Sequence, residues 1–127
     1  MLKALTHSAA IALVATVAWA QAAAPATIGD TAKGKALVNS KGMTLYTFDK
    51  DAGGKSACNG PCATNWPPLT AAADAKAMGD WAIVTRDDGG KQWSYKGKPL
   101  YAWTKDTKPG DTSGDGFLNG AWHIATP

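Results

Sequence analysis

Lys41-Gly42-Met43-Thr44-Leu45-Tyr46-Thr47-Phe48-Asp49-Lys50-Asp51 returns 55 residues later as Lys96-Gly97-Lys98-Pro99-Leu100-Tyr101-Ala102-Trp103-Thr104-Lys105-Asp106. Six of the eleven positions are identical, and Phe48 is answered by another aromatic, Trp103. A tryptophan follows each closing aspartate at a similar distance, Trp66 after Asp51 and Trp122 after Asp106. Self-similarity at a fixed offset marks a repeated structural unit that buries its apolar face against its neighbour. In an extended chain, Leu45, Thr47 and Asp49 share one face, and Tyr46, Phe48 and Lys50 share the other.

The same grammar extends outward from both copies. Residues 35–38, a turn at 39–42 and residues 43–48 read as strand, turn, strand. Residues 81–86 form a second strand, and Asp87-Asp88-Gly89-Gly90 signals a hairpin leading back through residues 91–95. Lys96-Gly97 turns again, and residues 99–103 run out. Pro99 cannot donate a ladder hydrogen bond, so its strand begins there or lies at an edge. Trp66-Pro67-Pro68-Leu69 reads as extended, and Trp122-His123-Ile124 as a short closing strand. Residues 70–78, rich in alanine, are the one stretch read as a helix. The pattern predicts an all-β domain, a small sandwich or barrel-like meander of two tandem repeats with one short helix.

The N-terminus has a different character. Lys3 precedes an apolar run over residues 11–18, and Ala18-Trp19-Ala20 fits a small-x-small cleavage site. The run is too short to span a bilayer, which takes about 20 residues. Residues 1–20 are therefore expected to be a signal peptide and 21–29 a flexible leader. A single β domain is expected over 30–127, with repeat 1 at about 36–69 and repeat 2 at about 81–127. Lys3 leaves with the signal, so the net charge of +3 becomes +2. So weak a charge, on scattered lysines, gives no case for nucleic acid or an anionic membrane surface, and no stable membrane insertion is expected after signal cleavage. A periplasmic or secreted location is expected.

All ten acidic residues are aspartates, which favour turns and caps over helix interiors. Cys58 and Cys62 are the only cysteines. In an exported chain their default is a disulfide closing a small loop. Gly60-Pro61-Cys62 also resembles the end of a thioredoxin-type redox motif, but the spacing is one residue too long and no βαβ setting is visible. His123 with Met43 or Met78 offers soft and nitrogen donors of the kind copper takes, without a ligand cluster in the sequence. Asp111-Thr112-Ser113-Gly114-Asp115-Gly116 imitates the start of a calcium loop, yet Trp122 stands where the bidentate acid belongs. A turn capped by aspartate is the simpler reading.

Tyr46, Phe48, Trp103, Tyr101 and their neighbours are many rings for a small domain, and most must be core. Tyr95, Trp66 and Trp122 are the candidates for an exposed binding face. Asp51 and Asp106 stand five residues after their tyrosines, which in an unbroken strand are opposite faces. Their expected role is to accept hydrogen bonds from the turns that follow. No nucleophile–base–acid set is identifiable, so no catalytic residue and no cofactor is assigned.

Both copies fit Tyr-x-(Phe/Trp/Tyr)-x-x-Asp, with Tyr46, Phe48 and Asp51 in one and Tyr101, Trp103 and Asp106 in the other. With Cys58, Cys62 and Trp66-Pro67-Pro68, they make residues 30–127 resemble the bacterial secreted-repeat lipoprotein family named for that motif. The resemblance implies an envelope or secreted protein of tandem repeats and implies no activity, the family being of unknown function. The chain departs from it in lacking a cysteine near the cleavage site for lipid attachment. The functional expectation is a non-catalytic binding or structural module that engages another envelope protein or a small ligand. The alternative is redox or metal handling through Cys58/Cys62 or Met43/His123.

Overall fold

The computed structural model describes residues 24–127; the expected signal peptide and its cleavage site lie outside the described residues. Seven short strands and two helical turns follow one another: β1 (Thr27–Thr31), β2 (Gly34–Val38), β3 (Tyr46–Phe48), α1 (Pro61–Asn65), β4 (Trp81–Thr85), β5 (Lys91–Tyr95), β6 (Lys98–Pro99), α2 (Phe117–Gly120) and β7 (Trp122–Ile124). They make three small antiparallel sheets, β1-β2, β3-β7 and β4-β5-β6, and no closed barrel. The protein is an all-β meander.

The turn chemistry is as the sequence specifies. In the β4–β5 loop, Asp88 Oδ1 accepts the Gly90 N–H at 2.8 Å, and Gly89 takes φ 87°. Lys96 and Gly97 join β5 to β6 with φ 52° and 86°, the paired positive φ of a primed two-residue hairpin turn. Pro99 lies in the edge strand of its sheet.

Two expectations need correction. Residues 70–78 are not a helix: Thr70 bridges Gln92, Met78 bridges Trp81, and the Ala71 N–H bonds Lys91 O at 2.9 Å. Alanine propensity over two turns is a weak force, and here the edge of β5 claims the backbone groups first. The regular helical turn is instead α1, opened by Pro61 at its first positions, where a missing N–H costs nothing. Nor do residues 27–29 belong to a flexible leader. They form the start of β1, which pairs with β2 from Thr27↔Val38 to Thr31↔Gly34.

The two copies meet around a local twofold axis. Tyr46 N–H bonds Tyr101 O at 2.8 Å, and Tyr101 N–H bonds Tyr46 O at 3.0 Å. A residue that pairs reciprocally with its own repeat-mate is the mark of an isologous interface. The pairing continues outward symmetrically. Leu45 N–H bonds Leu37 O as Leu100 N–H bonds Trp93 O, and Ala125 N–H bonds Leu45 O as Leu69 N–H bonds Leu100 O. Asp49 N–H bonds Ala121 O, and at the equivalent place Thr104 N–H bonds Asn65 O.

The segment Leu45–Phe48 is buried on both faces. Leu45 packs in one cluster with Ala26, Leu37, Leu100 and Ala125. Tyr46 and Phe48 point into the other, with Cys58, Trp66, Tyr101, Trp103 and Trp122. Strand alternation thus sends the leucine and the tyrosine of each copy to different cores.

Candidate functional site

The repeat motif closes on itself crosswise. Tyr46 Oη donates to Asp106 Oδ2 at 2.5 Å, and Tyr101 Oη donates to Asp51 Oδ2 at 2.7 Å. Each tyrosine therefore binds the aspartate of the other copy. The strand spacing does not reach the aspartates: a turn closed by Asp51 N–H on Phe48 O, and by Asp106 N–H on Trp103 O, carries each off its extended segment, and the twofold axis supplies the partner from across. The second carboxylate oxygen ties down the following loop, through Ala57 N–H for Asp51 and through Ser113 N–H and Oγ for Asp106. The expected loop-anchoring role is present, several residues farther along than the adjacent turns. Burial is the largest cause that raises both phenols above their ordinary value, and the neighbouring carboxylates raise them further.

Above these pairs the rings form a symmetric column. Phe48 stacks on Trp122 at 4.2 Å, Trp122 on Trp66 at 3.7 Å, and Trp66 on Trp103 at 3.9 Å. Tyr46 and Tyr101 meet Trp66 and Trp122 edge-on, at 81° and 86°. Offset-stacked and edge-to-face pairs contribute beyond their buried area. Gly114 lies against the column so closely that a Cβ would come within 2.7 Å of the Trp66 ring. Trp66 and Trp122 are only 3% and 1% exposed, so as binding aromatics they are corrected to core. Tyr95 is half-buried and lines a groove.

Around Tyr101 the copies diverge. Arg86 Nη1 donates to Ser56 Oγ and Gln92 Oε1 at 2.9 and 2.8 Å, and Nη2 donates to Cys58 O at 2.5 Å. Ser56 Oγ lies 2.6 Å from Tyr101 Oη. The phenol has one proton and gives it to Asp51, so the serine is the donor to Tyr101. A one-way chain of donors thus runs from the Arg86 guanidinium through Ser56 and Tyr101 to Asp51. Desolvation raises the Asp51 carboxyl above its ordinary value, while the bonds from Ala57 and Tyr101 and the Arg86 charge lower it. Nothing in the strand pattern marks Arg86; the signal is that it is the only arginine in the chain. A guanidinium supplies several fixed donors to a dry site where lysine has three on a flexible stem. Beneath it Cys58 and Cys62 form the expected disulfide, with Cys58 fully buried.

Other sequence candidates separate. Asp111 Oδ2 accepts the Thr107 and Lys108 N–H groups, and those bonds and the Lys108 ammonium hold its carboxyl down at about 2. It is a turn cap. Met43 sits in the turn after β2, its N–H bonded to Asn39 Oδ1, and it does not line the groove that holds His123. Among the described residues no three His, Cys or acidic side chains gather as metal ligands.

His123 instead pairs with Asp49, Nε2 to Oδ2 at 2.8 Å, on the solvent side of β3 and β7. The two face a groove of about 430 Å³ whose opposite wall is the β5–β6 turn with Lys96 and Lys98. The half-buried Tyr95 and Ile124 add apolar surface to it, over the buried Leu100. This is a pre-formed polar concavity of small-molecule size.

A duplicated all-β domain whose motif residues lock one copy to the other belongs to the class of internal tandem repeats. The chain belongs to the family described as a secreted repeat of unknown function, which matches residues 27–70 and 82–126. Those two spans correspond to the two halves around the twofold axis. No curated protein and no solved structure matches the chain. Among the described residues no helix is long and apolar enough to cross a membrane.

Proposed function

We propose that this exported protein is a non-catalytic binding module of the periplasm or the surrounding medium. One observation carries the reading: the motif residues are consumed in the interior, while the polar groups that differ between the copies gather at an open groove. The tyrosines, aspartates and tryptophans of the motif give the domain its shape. Asp49, His123 and Lys98 have no structural duty of that kind.

The test is a thermal-shift screen of the purified protein against small metabolites and envelope extracts, with turnover followed in parallel. A ligand that binds only the folded state raises the melting temperature in proportion to its occupancy. Saturable stabilisation without turnover supports the module. Turnover of a substrate without stable binding overturns it. A disulfide-based activity would be lost in a Cys58→Ala/Cys62→Ala variant that keeps its fold, whereas groove binding would survive there.

A further inference from the structure

We propose that the groove between β7 and the β5–β6 turn binds a small organic anion, a carboxylate or phosphate carried on a ring-sized apolar body. The proposal rests on the binding-module reading and gives that module its site and ligand class.

The charge on the walls points to an anion. Lys96 and Lys98 flank Gly97, so the turn presents two ammonium groups to the same opening. Among the described residues neither has a carboxylate within ion-pair distance, which is equally true of Lys41, Lys50, Lys76, Lys91 and Lys105; what sets this pair apart is the shared opening. Lys96 is held in place. Its backbone is fixed at φ 52° by the primed turn, and its Nζ stands 5.2 Å from the Tyr95 ring centroid. A cation parked over a ring face is pre-positioned at little further entropic cost.

Across the groove, Asp49 is the single side-chain carboxylate, its Oδ2 already committed to His123, and Pro127, the last residue of the chain, lines the same opening and brings a terminal carboxylate. That bond fixes the imidazole plane and leaves Nδ1 without a protein partner among the described residues. A cation would have to compete with His123 and face two lysines. An anion meets two ammoniums and an oriented ring. The half-buried Tyr95 and Ile124 give the groove apolar surface, which matches a ligand with a hydrophobic body better than a bare ion.

The internal duplication supplies a control. At the positions equivalent to Asp49, His123 and Lys98 the other copy carries Thr104, Pro67 and Met43. The backbone pairing there is the same, with Thr104 N–H bonded to Asn65 O as Asp49 N–H is to Ala121 O. The fold therefore needs neither the histidine, the carboxylate nor the second lysine. Their presence on one side only separates a ligand-facing set from the scaffold that both copies share.

The experiment is a nitrogen–proton NMR titration of the intact mature protein with benzoate, phenyl phosphate, inorganic phosphate and the neutral amide benzamide. The expected result is a saturable shift of the Thr47, Asp49, Lys98 and His123 amides with benzoate or phenyl phosphate, and none with benzamide. A Lys96→Gln/Lys98→Gln variant should bind about tenfold or more weakly, with its tryptophan indole signals unmoved. Equal shifts from benzamide, an unchanged affinity in that variant, or no saturable shift from either organic anion overturns the proposal. Inorganic phosphate binding as tightly as phenyl phosphate overturns the organic body. Saturable shifts confined to another surface remove this site and leave the binding module standing; the turnover result described above is what removes the module.

Discussion

Tyr46→Phe removes one hydroxyl and leaves the ring in its column. The lost bond is to a carboxylate at 2.5 Å in a site where the tyrosine is fully buried. Hydrogen bonds to charged groups contribute about 1.5–3 kcal/mol. Asp106 keeps Ser113 N–H and Oγ on its other oxygen, so the carboxylate is not stranded and the lower half of that range applies. The Gly114 N–H, 3.3 Å from the phenol, also loses its acceptor. We expect a loss of about 2 kcal/mol, read as a lower urea midpoint at unchanged slope, and a melting temperature lower by about 10 °C. The decisive version is a double-mutant cycle. Tyr46→Phe combined with Asp106→Ala should show a coupling of about 1.5 kcal/mol, because each change removes the same bond. Tyr46→Phe with Asp51→Ala, the aspartate of its own copy, should be additive to within about 0.5 kcal/mol. Should Asp106→Ala not fold, Asp106→Asn serves in the same cycle. Coupling within a copy equal to or larger than coupling across copies would refute the crossed arrangement.

Gly114→Ala should destabilise by about 1–3 kcal/mol, since its Cβ meets the Trp66 and Trp103 rings; urea unfolding followed by tryptophan fluorescence reports it. Arg86→Met strands Cys58 O and Gln92 Oε1 and removes the buried charge that helps to offset Asp51, and should cost about 3–5 kcal/mol in the same assay. Arg86→Lys should recover only part of that. Tyr46 and Tyr101 have phenols raised above the ordinary value near 10 by burial. The unfolded chain therefore releases these protons first, and their contribution is whole below pH 10 and lost as pH rises beyond it. Ultraviolet titration should show those two phenolates appearing only with unfolding. Cys58→Ala/Cys62→Ala should lower stability by about 2 kcal/mol, small because the closed loop is short, with the circular dichroism spectrum retained.

Apart from β1, which begins inside the expected leader, the strands were legible in the sequence because their signals are local. Asp88-Gly89-Gly90 and Lys96-Gly97 carry their turn types in their own residues, and Pro99 declares its edge. The crossed Tyr–Asp pairs were not, because their geometry belongs to the axis between the copies and not to either copy. The spacing of five assumed an unbroken strand, whereas a turn after Phe48 redirects Asp51, and only the facing of Tyr46 and Tyr101 shows where each hydroxyl goes. The supposed helix over 70–78 failed for a related reason. Its alanines state a preference, but β5 offered its backbone a partner. Arg86, Ser56 and Gln92 lie on three separate segments, and their meeting is a tertiary fact. The groove was half visible: His123 stood out as the one histidine beyond the N-terminal segment, but nothing linked it to Asp49, 74 residues away.

Reciprocal locking also sets an order of assembly. Tyr46 waits 60 residues for its acceptor, and Tyr101 reaches back 50 for its own. A chain delivered from its N-terminus presents the first copy complete but without its mate, with Tyr46, Phe48 and Trp66 uncovered until the second arrives. Closure is then a single late event that joins both halves at once, slow in the manner of non-local contacts and open to capture by the wrong neighbour. The cysteines, only four positions apart, are free of that delay. Their bond can form while the first half is still waiting, and it would stiffen the loop that carries Trp66 before the ring it must stack on exists in the compartment.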